Sequence, residues 1–212
     1  MNIYGLQKLT LLDYPGHTAC TIFLGGCNFR CPYCHNMDIV EGRTATMDEG
    51  DFLDWLESRK GLLEGVCISG GEPTLHQDLP ELVRRIKDLG FLVKVDTNGY
   101  RPDMLWDLAA DYVAMDIKNG WTKYEYTAGI HISLDIIKSS IMLVKTFPDY
   151  EFRTTVTEHL HSDQDFLEIG GMIRGAKKYY LQKCTVSPPR DEDLERYAEI
   201  MRNYVEHVEV RG

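Results

Sequence analysis

GGCNFRCPYCHN, residues Gly25–Asn36, places three of the chain's six cysteines within eight residues: Cys27, Cys31 and Cys34, spaced C-x3-C-x2-C. Three thiols do not pair off as disulfides, and three ligands are one short of a closed tetrahedral zinc site. The stretch directly follows an apolar run, Thr18–Leu24, that reads as a β-strand. Gly25 and Gly26 let the backbone turn sharply after it. Pro32 stiffens the arc between Cys31 and Cys34, so the thiolates can converge. Three readings stand at this point. Structural zinc would need His35 or a remote thiol such as Cys184 as fourth ligand. A disulfide would leave a spare thiol. An iron–sulfur cluster would bind each thiolate to its own iron and keep one iron open. An open coordination position marks a catalytic metal rather than a structural one.

Outward from the loop, short β-rich runs recur at Val66–Ser69, Leu92–Thr97, Tyr112–Lys118, Glu151–Val156 and Tyr179–Val186. Helical patterns lie between them. In Asp78–Leu89, the residues Leu79, Leu82, Val83, Ile86 and Leu89 share one face. Asp78 with Glu81 reads as a capping box and Gly90 as the stop. Thr46 with Glu49 opens a second helix in the same way. Ser133–Lys145 and Asp191–Val205 are further amphipathic helices, and Asp163–Arg174 is a weaker one. Strands alternating with helices predict an α/β fold with a mostly parallel sheet. Right-handed crossovers would curl six such units into an open partial (βα)6 barrel, since a closed eight-unit barrel typically takes about 250 residues. Residues 1–212 read as one domain, with no low-complexity segment or repeat. Ligands of such folds gather at the carboxyl ends of the strands.

Composition narrows the function classes. Apolar residues make up 43% and charged residues 26%, as in an ordinary globular protein. A net charge of −10 argues against a broad nucleic-acid footprint, which needs clustered Lys and Arg. No apolar run reaches the roughly 20 residues of a membrane-spanning helix. MNIYGLQKLTLLDYPG does not resemble a signal peptide, so a cytoplasmic location is expected. Clustered cysteines in a reducing compartment point to metal or catalysis. The scattered Cys20, Cys67 and Cys184 read as buried core thiols.

C-x3-C-x2-C with an aromatic, Tyr33, before the last cysteine resembles the signature of radical S-adenosylmethionine (SAM) enzymes. LLDYPG (Leu11–Gly16) through GCNFRCPYCHN is similar to the glycyl-radical-enzyme activases, most of all the activating protein of anaerobic ribonucleoside-triphosphate reductase. The resemblance implies that Cys27, Cys31 and Cys34 hold a 4Fe–4S cluster and that SAM chelates its open iron. It implies one-electron cleavage of SAM and hydrogen abstraction from a backbone glycine of a partner enzyme. A flavodoxin- or ferredoxin-type donor is the expected electron source. No second cysteine-rich segment is present, so no ferredoxin-like insert is expected.

The strand-end motifs fit this resemblance. SGGEP (Ser69–Pro73) has two glycines that would free backbone N–H groups for a ligand. In the family the GGE stretch holds the methionine amino group, which assigns Gly70, Gly71, Glu72 and Pro73 to the cofactor. DTNG (Asp96–Gly99) and MDIK (Met115–Lys118) resemble segments lining the methionine and ribose. Asp96 and Asp116 are expected to pair with the amino group, a bound cation or Lys118. Lys118 suits the cofactor carboxylate, and Asn98 the carboxylate or ribose. Arg153, if it points inward, needs a partner, because an unpaired buried charge is costly. Tyr33 is expected near the adenine and His35 near the cluster. His159 and His161 read as a solvated loop. A radical SAM enzyme acting on a small molecule, similar to the 7-carboxy-7-deazaguanine synthases, is the alternative. LLDYPGHTA replaces the Q-G-E-G-like stretch those enzymes carry.

Overall fold

All six expected strands are present in the computed structural model, which describes residues 1–211. The chain divides into two units. The first comprises Met1–Asn28, Asn36–Thr97 and Asp103–Val113; the second comprises Phe29–His35, Asn98–Pro102 and the residues from Ala114 onward.

In the first unit, β1 (Asn2–Thr10) runs antiparallel to β2 (Ala19–Leu24) and to the two-residue β3 (Met47–Asp48). After α1 (Met37–Val40) and α2 (Glu49–Glu57) come β4 (Gly65–Gly70), α3 (Leu79–Asp88), β5 (Leu92–Thr97), α4 (Pro102–Trp106) and β6 (Tyr112–Asp116), whose last three residues fall in the second unit. β2, β4 and β5 are parallel, in register through Thr21, Cys67 and Lys94. Because side chains alternate along a strand, this register sorts two sets. Ile22, Val66, Ile68, Val93 and Val95 fall on one face and are fully buried, as is the apolar stripe of α3. Each such side chain contributes roughly 1.5–3 kcal/mol by leaving water. Thr21, Cys67, Ser69, Lys94 and Asp96 occupy the other face, which is unusually polar for a sheet interior.

The second unit contains α5 (Tyr124–Ala128), α6 (Leu134–Val144), β7 (Asp149–Val156), α7 (Asp163–Ile173), β8 (Lys178–Lys183), α8 (Asp191–Met201) and β9 (His207–Arg211). β7, β8 and β9 are parallel, in register through Phe152, Tyr179 and Val208. The strand order is β3-β1-β2-β4-β5-β6-β7-β8-β9, with β3 and β9 as its two ends, so the mostly parallel sheet does not close. That is the expected open α/β sheet.

Local details depart from expectation. β1, β3 and β9 lack a periodic apolar signal: β1 buries only Ile3 and Thr10, and β9 buries no residue. α2 begins at Glu49, not Thr46, because the Asp48 carboxylate accepts from the Gly50 N–H at 2.8 Å. Asp78 makes no side-chain cap; its backbone is already helical, which aims the carboxylate away from the first-turn N–H groups. α7 has the complete capping box instead: Ser162 and Asp165 bond each other's ends reciprocally.

Candidate functional site

In the first unit, the ends of β2 and β4 are joined backbone to backbone. The Gly71 N–H donates to Leu24 O and the Glu72 N–H to Gly26 O, both at 2.9 Å. This corrects the expectation of a free N–H at Gly71. The glycines serve close approach: a Cβ on Gly71 would overlap the Gly26 carbonyl, and Gly70 has φ of 115°. Two further contacts hold the turn and carry no sequence signal of their own. Asn36 Nδ2 donates to Gly70 O at 3.0 Å, and His76 Nε2 donates to Gly25 O at 2.9 Å. Pro73 opens a buried 3₁₀ turn. Glu72 is buried, and its Oε1 accepts from Thr74 N, Thr74 Oγ1 and, at 2.7 Å, Thr97 Oγ1. Asp96 pairs through Oδ1 with Lys94, and its Oδ2 accepts from Ser69 Oγ at 3.0 Å. Lys94 was not singled out from sequence, because a lysine in a β-run reads as a strand edge.

In the second unit, the loop carrying Cys31 and Cys34 rests on the end of α5. The Arg30 N–H donates to Ala128 O at 2.9 Å, and the Cys34 N–H donates to Cys31 O at 3.1 Å. Gly129, with φ of 68°, leaves no room for a Cβ against Arg30. Arg153 points inward, on a strand buried along most of its length, and Nε donates to Asp116 Oδ1 at 2.9 Å. Lys118 Nζ donates to Asp116 Oδ2 at 3.1 Å. Burial by itself would raise the Asp116 carboxyl, but Arg153 and Lys118 outweigh it and hold it at about 2. Burial works against the Lys118 ammonium, but Asp116, Cys31 and Tyr33 hold its pKa well above the ordinary lysine value. Arg153 also approaches Glu151 at 3.9 Å, and Glu151 accepts from Arg211 at 3.2 Å.

Asn98 forms a turn: its Oδ1 accepts from the Tyr100 N–H at 2.9 Å, and Ser140 Oγ donates to Gly99 O at 2.6 Å. Tyr33 is buried, which raises its hydroxyl pKa despite the Lys118 charge. His35 is exposed, with Nδ1 3.2 Å from Thr185 Oγ1. His161 corrects the solvated-loop expectation. It is buried, with Nε2 3.1 Å from Lys118 O and Nδ1 accepting from the Thr157 N–H at 3.3 Å. Asn119 reinforces the same corner, donating to Leu160 O and Thr127 Oγ1.

The cysteines fall into two classes. Cys20, Cys67 and Cys184 are fully buried, and burial pushes the Cys20 thiol up to about 12. Cys27, Cys31 and Cys34 are partly exposed, and none of the three is in a disulfide. Partly accessible thiols with a lysine near one of them suit a metal cluster better than core packing. Burial raises the Cys31 thiol, and the Lys118 charge offsets part of that rise.

Comparison with known proteins agrees with this chemistry. Residues 21–138 match the model of the radical SAM superfamily. The chain is 30% identical to the "Putative glycyl-radical enzyme activating enzyme MJ1227" of Methanocaldococcus jannaschii, over 99% of this chain and 95% of that one. Among solved structures, QueE from Escherichia coli superposes with a TM-score of 0.66 at 17% identity, over 99% of this chain and 93% of that one. A domain of pyruvate-formate lyase-activating enzyme from Bacteroides vulgatus gives 0.59 at 18% identity, over 70% and 99%. At these identities the structures speak to the fold alone. The cysteine loop and the strand-end motifs at Gly70–Pro73 and Asp96–Asn98 lie within the matched span, and on that ground the chain belongs to the radical SAM superfamily, whose enzymes use a 4Fe–4S cluster and SAM.

Proposed function

We propose that this chain is an activase that places a radical on a backbone glycine of a partner glycyl radical enzyme, with anaerobic ribonucleoside-triphosphate reductase as the partner its motifs favour. The observation that carries the reading is the end-to-end similarity to MJ1227, whose name assigns it to glycyl-radical enzyme activation. The lead-in LLDYPG and the CHN ending of the cysteine loop support it. Cys27, Cys31 and Cys34 would hold the cluster. When bound, the cluster and SAM together supply a 5′-deoxyadenosyl radical able to take one hydrogen atom.

The chain's own residues do the binding and orienting. Lys118 and Arg153, both with side chains under 15% exposed, present fixed positive charge for a carboxylate, and Asp116 keeps them in place. Asp96 and Asn98 are assigned to the amino group and the ribose or carboxylate. Gly70–Pro73 shape the wall beside the amino group. Among the described residues no helix is long and apolar enough to cross a membrane. We place the enzyme in the cytoplasm, with a flavodoxin or ferredoxin as donor.

Anaerobic electron paramagnetic resonance with SAM, a reductant and the candidate reductase tests this. A glycine-centred doublet on the reductase is expected. Free 5′-deoxyadenosine without that doublet would reject the activase reading and leave radical SAM chemistry on a small molecule. Cys31→Ala should abolish both signals; a variant that still cleaves SAM contradicts the ligand assignment. Zinc without sulfide in the purified protein would reject the cluster.

A further inference from the structure

β9 ends the sheet: among the described residues it pairs with β8 on one side and with no strand on the other. The His207 N–H donates to Lys177 O at 3.0 Å. Backbone groups alternate along a strand, so His207, Glu209 and Arg211 turn their N–H and C=O towards β8, and Val208 and Val210 turn theirs outward. Side chains alternate as well. His207, Glu209 and Arg211 share one face, and Val208 and Val210 share the other. Every residue of β9 is exposed or half-buried.

An edge strand is a template for another strand, and proteins blunt it with proline, lysine, a bulge or a covering element. β9 has no proline and no lysine. Its register with β8 is unbroken over all five residues, so no bulge twists it away. Its charges select a partner: a second copy of the same strand running antiparallel. If two copies cross at Val210, that residue meets its own counterpart as a hydrogen-bonded pair, and Glu209 of each copy lies opposite Arg211 of the other. Crossing at Glu209 instead sets Glu209 against Glu209, and like charges directly opposite are destabilising. Crossing at Val208 sets Arg211 against Val205, a buried residue outside the strand. Arg211 is held in place for the first of these registers. It donates to Glu151 through both terminal nitrogens, at 3.2 and 3.3 Å, and lies over the Tyr180 ring. A guanidinium has five N–H donors, so that grip does not exhaust it.

We infer that β9 is the interface of a homodimer, in which two copies pair antiparallel across a two-fold axis at Val210 and join their sheets edge to edge. The contact is isologous: one strand serves both copies, so the pairing closes at two. The paired strands run in opposite directions, so the carboxyl ends of β7, β8 and β9 in the two copies point opposite ways. A five-residue edge is a small contact, and the dimer is a weak one. The inference is independent of which substrate the enzyme takes.

Sedimentation velocity of the full chain, anaerobically reconstituted with iron and sulfide, tests this over roughly 1–100 µM. The sedimentation coefficient should rise with concentration to that of a dimer. V210P removes only an outward N–H, where an edge strand tolerates proline, and should raise the dissociation constant about tenfold or more. E209R sets like charges opposite each other in every self-pair and should do the same. R211E has the same fault alone, but an equimolar mixture of E209R and R211E meets opposite charges at both crossings and should dimerise at least as well as wild type. R211E also faces Glu151, so its melting temperature is read first; if it is unfolded, V210P and E209R decide. A wild type that stays monomeric throughout overturns the inference. A dimer that V210P and E209R leave intact also overturns it, because the copies then meet elsewhere. A mixture that stays monomeric with both variants folded overturns the register at Val210. A monomeric wild type whose binding to the candidate reductase is weakened by V210P gives the edge to the reductase and not to a second copy.

Discussion

Asp96 ends β5 and Asp116 ends β6, and both carboxylates are neutralised by cations that arrive from opposite directions along their strands. Asp96 takes Lys94, two residues earlier. Asp116 takes Lys118, two residues later, together with Arg153. Two residues of strand span about 6.6 Å, so one cation lies below its carboxylate and the other above. Asp96 thus has a sealed cation before it in its strand, whereas Asp116 ties together cations from two segments.

The largest effect should come from breaking the deeper pair. Asp96→Asn leaves a sealed ammonium without its carboxylate, at a cost of about 3–5 kcal/mol. Urea unfolding should show it, and K94M/D96N should recover most of the loss. Asp116→Asn should cost less, about 2 kcal/mol, because the Asp116 side chain is 26% exposed against 15% for Asp96. Equal losses would erase the distinction between the two carboxylates.

The pH dependence sharpens the same contrast. The Asp116 carboxyl is held at about 2, below its ordinary 3.8. A depressed carboxyl stabilises the fold fully above its unfolded value and loses that contribution as pH falls from about 4 towards 2. The shift corresponds to about 2 kcal/mol. Urea midpoints from pH 7 down to 2.5 should therefore bring wild type and Asp116→Asn together. A constant gap across that range would mean the pair is not carrying the shift.

The two units also differ in how their strand ends are held, and the next effect in size tests the first of them. Gly71→Ala pushes a methyl into the Gly26 carbonyl, where both partners are backbone and neither can swing aside. A loss of about 1–3 kcal/mol is expected, with weakened iron incorporation because the cysteine loop starts at that contact. Gly171→Ala is the control. It lies in α7 with nothing within 4 Å, and should stabilise by up to about 1 kcal/mol.

Much of this was legible in the sequence, and the failures share a cause. Parallel strands buried on both faces announce themselves as apolar runs, which located all six central strands. β1 and β9 bury too little to show a pattern. The strand-end acids and Arg153 were visible because charge is conspicuous beside apolar runs. Lys94 was hidden although it lies only two residues before Asp96, because it sits inside an apolar run, and His76 and Asn36 were hidden because they hold carbonyls 51 and 34 residues away in sequence. The glycines of SGGEP were singled out for open N–H groups, but Gly71 packs its backbone against Gly26 and its N–H is bonded to Leu24 O. His161 was misread because a histidine among Thr, Glu, His and Ser carries no local sign of burial.

His161 gives the smallest effect and the cleanest sign. It holds the carbonyl of Lys118 through Nε2–H, while Nδ1 accepts from Thr157. That fixes a neutral ring and one tautomer. Burial lowers its pKa below 6.5, with Lys123 acting in the same direction and Asp165 and the Lys118 carbonyl opposing. The native state therefore binds fewer protons than the unfolded chain near pH 6, and stability rises with pH there. The contribution is complete above 6.5 and is lost as pH falls below it. His161→Gln keeps one donor and one acceptor but cannot titrate. At pH 8 it should lie within about 1 kcal/mol of wild type. Between pH 7 and 5 its melting temperature should fall less than the wild type's. Parallel curves would show that the fold does not hold the ring neutral.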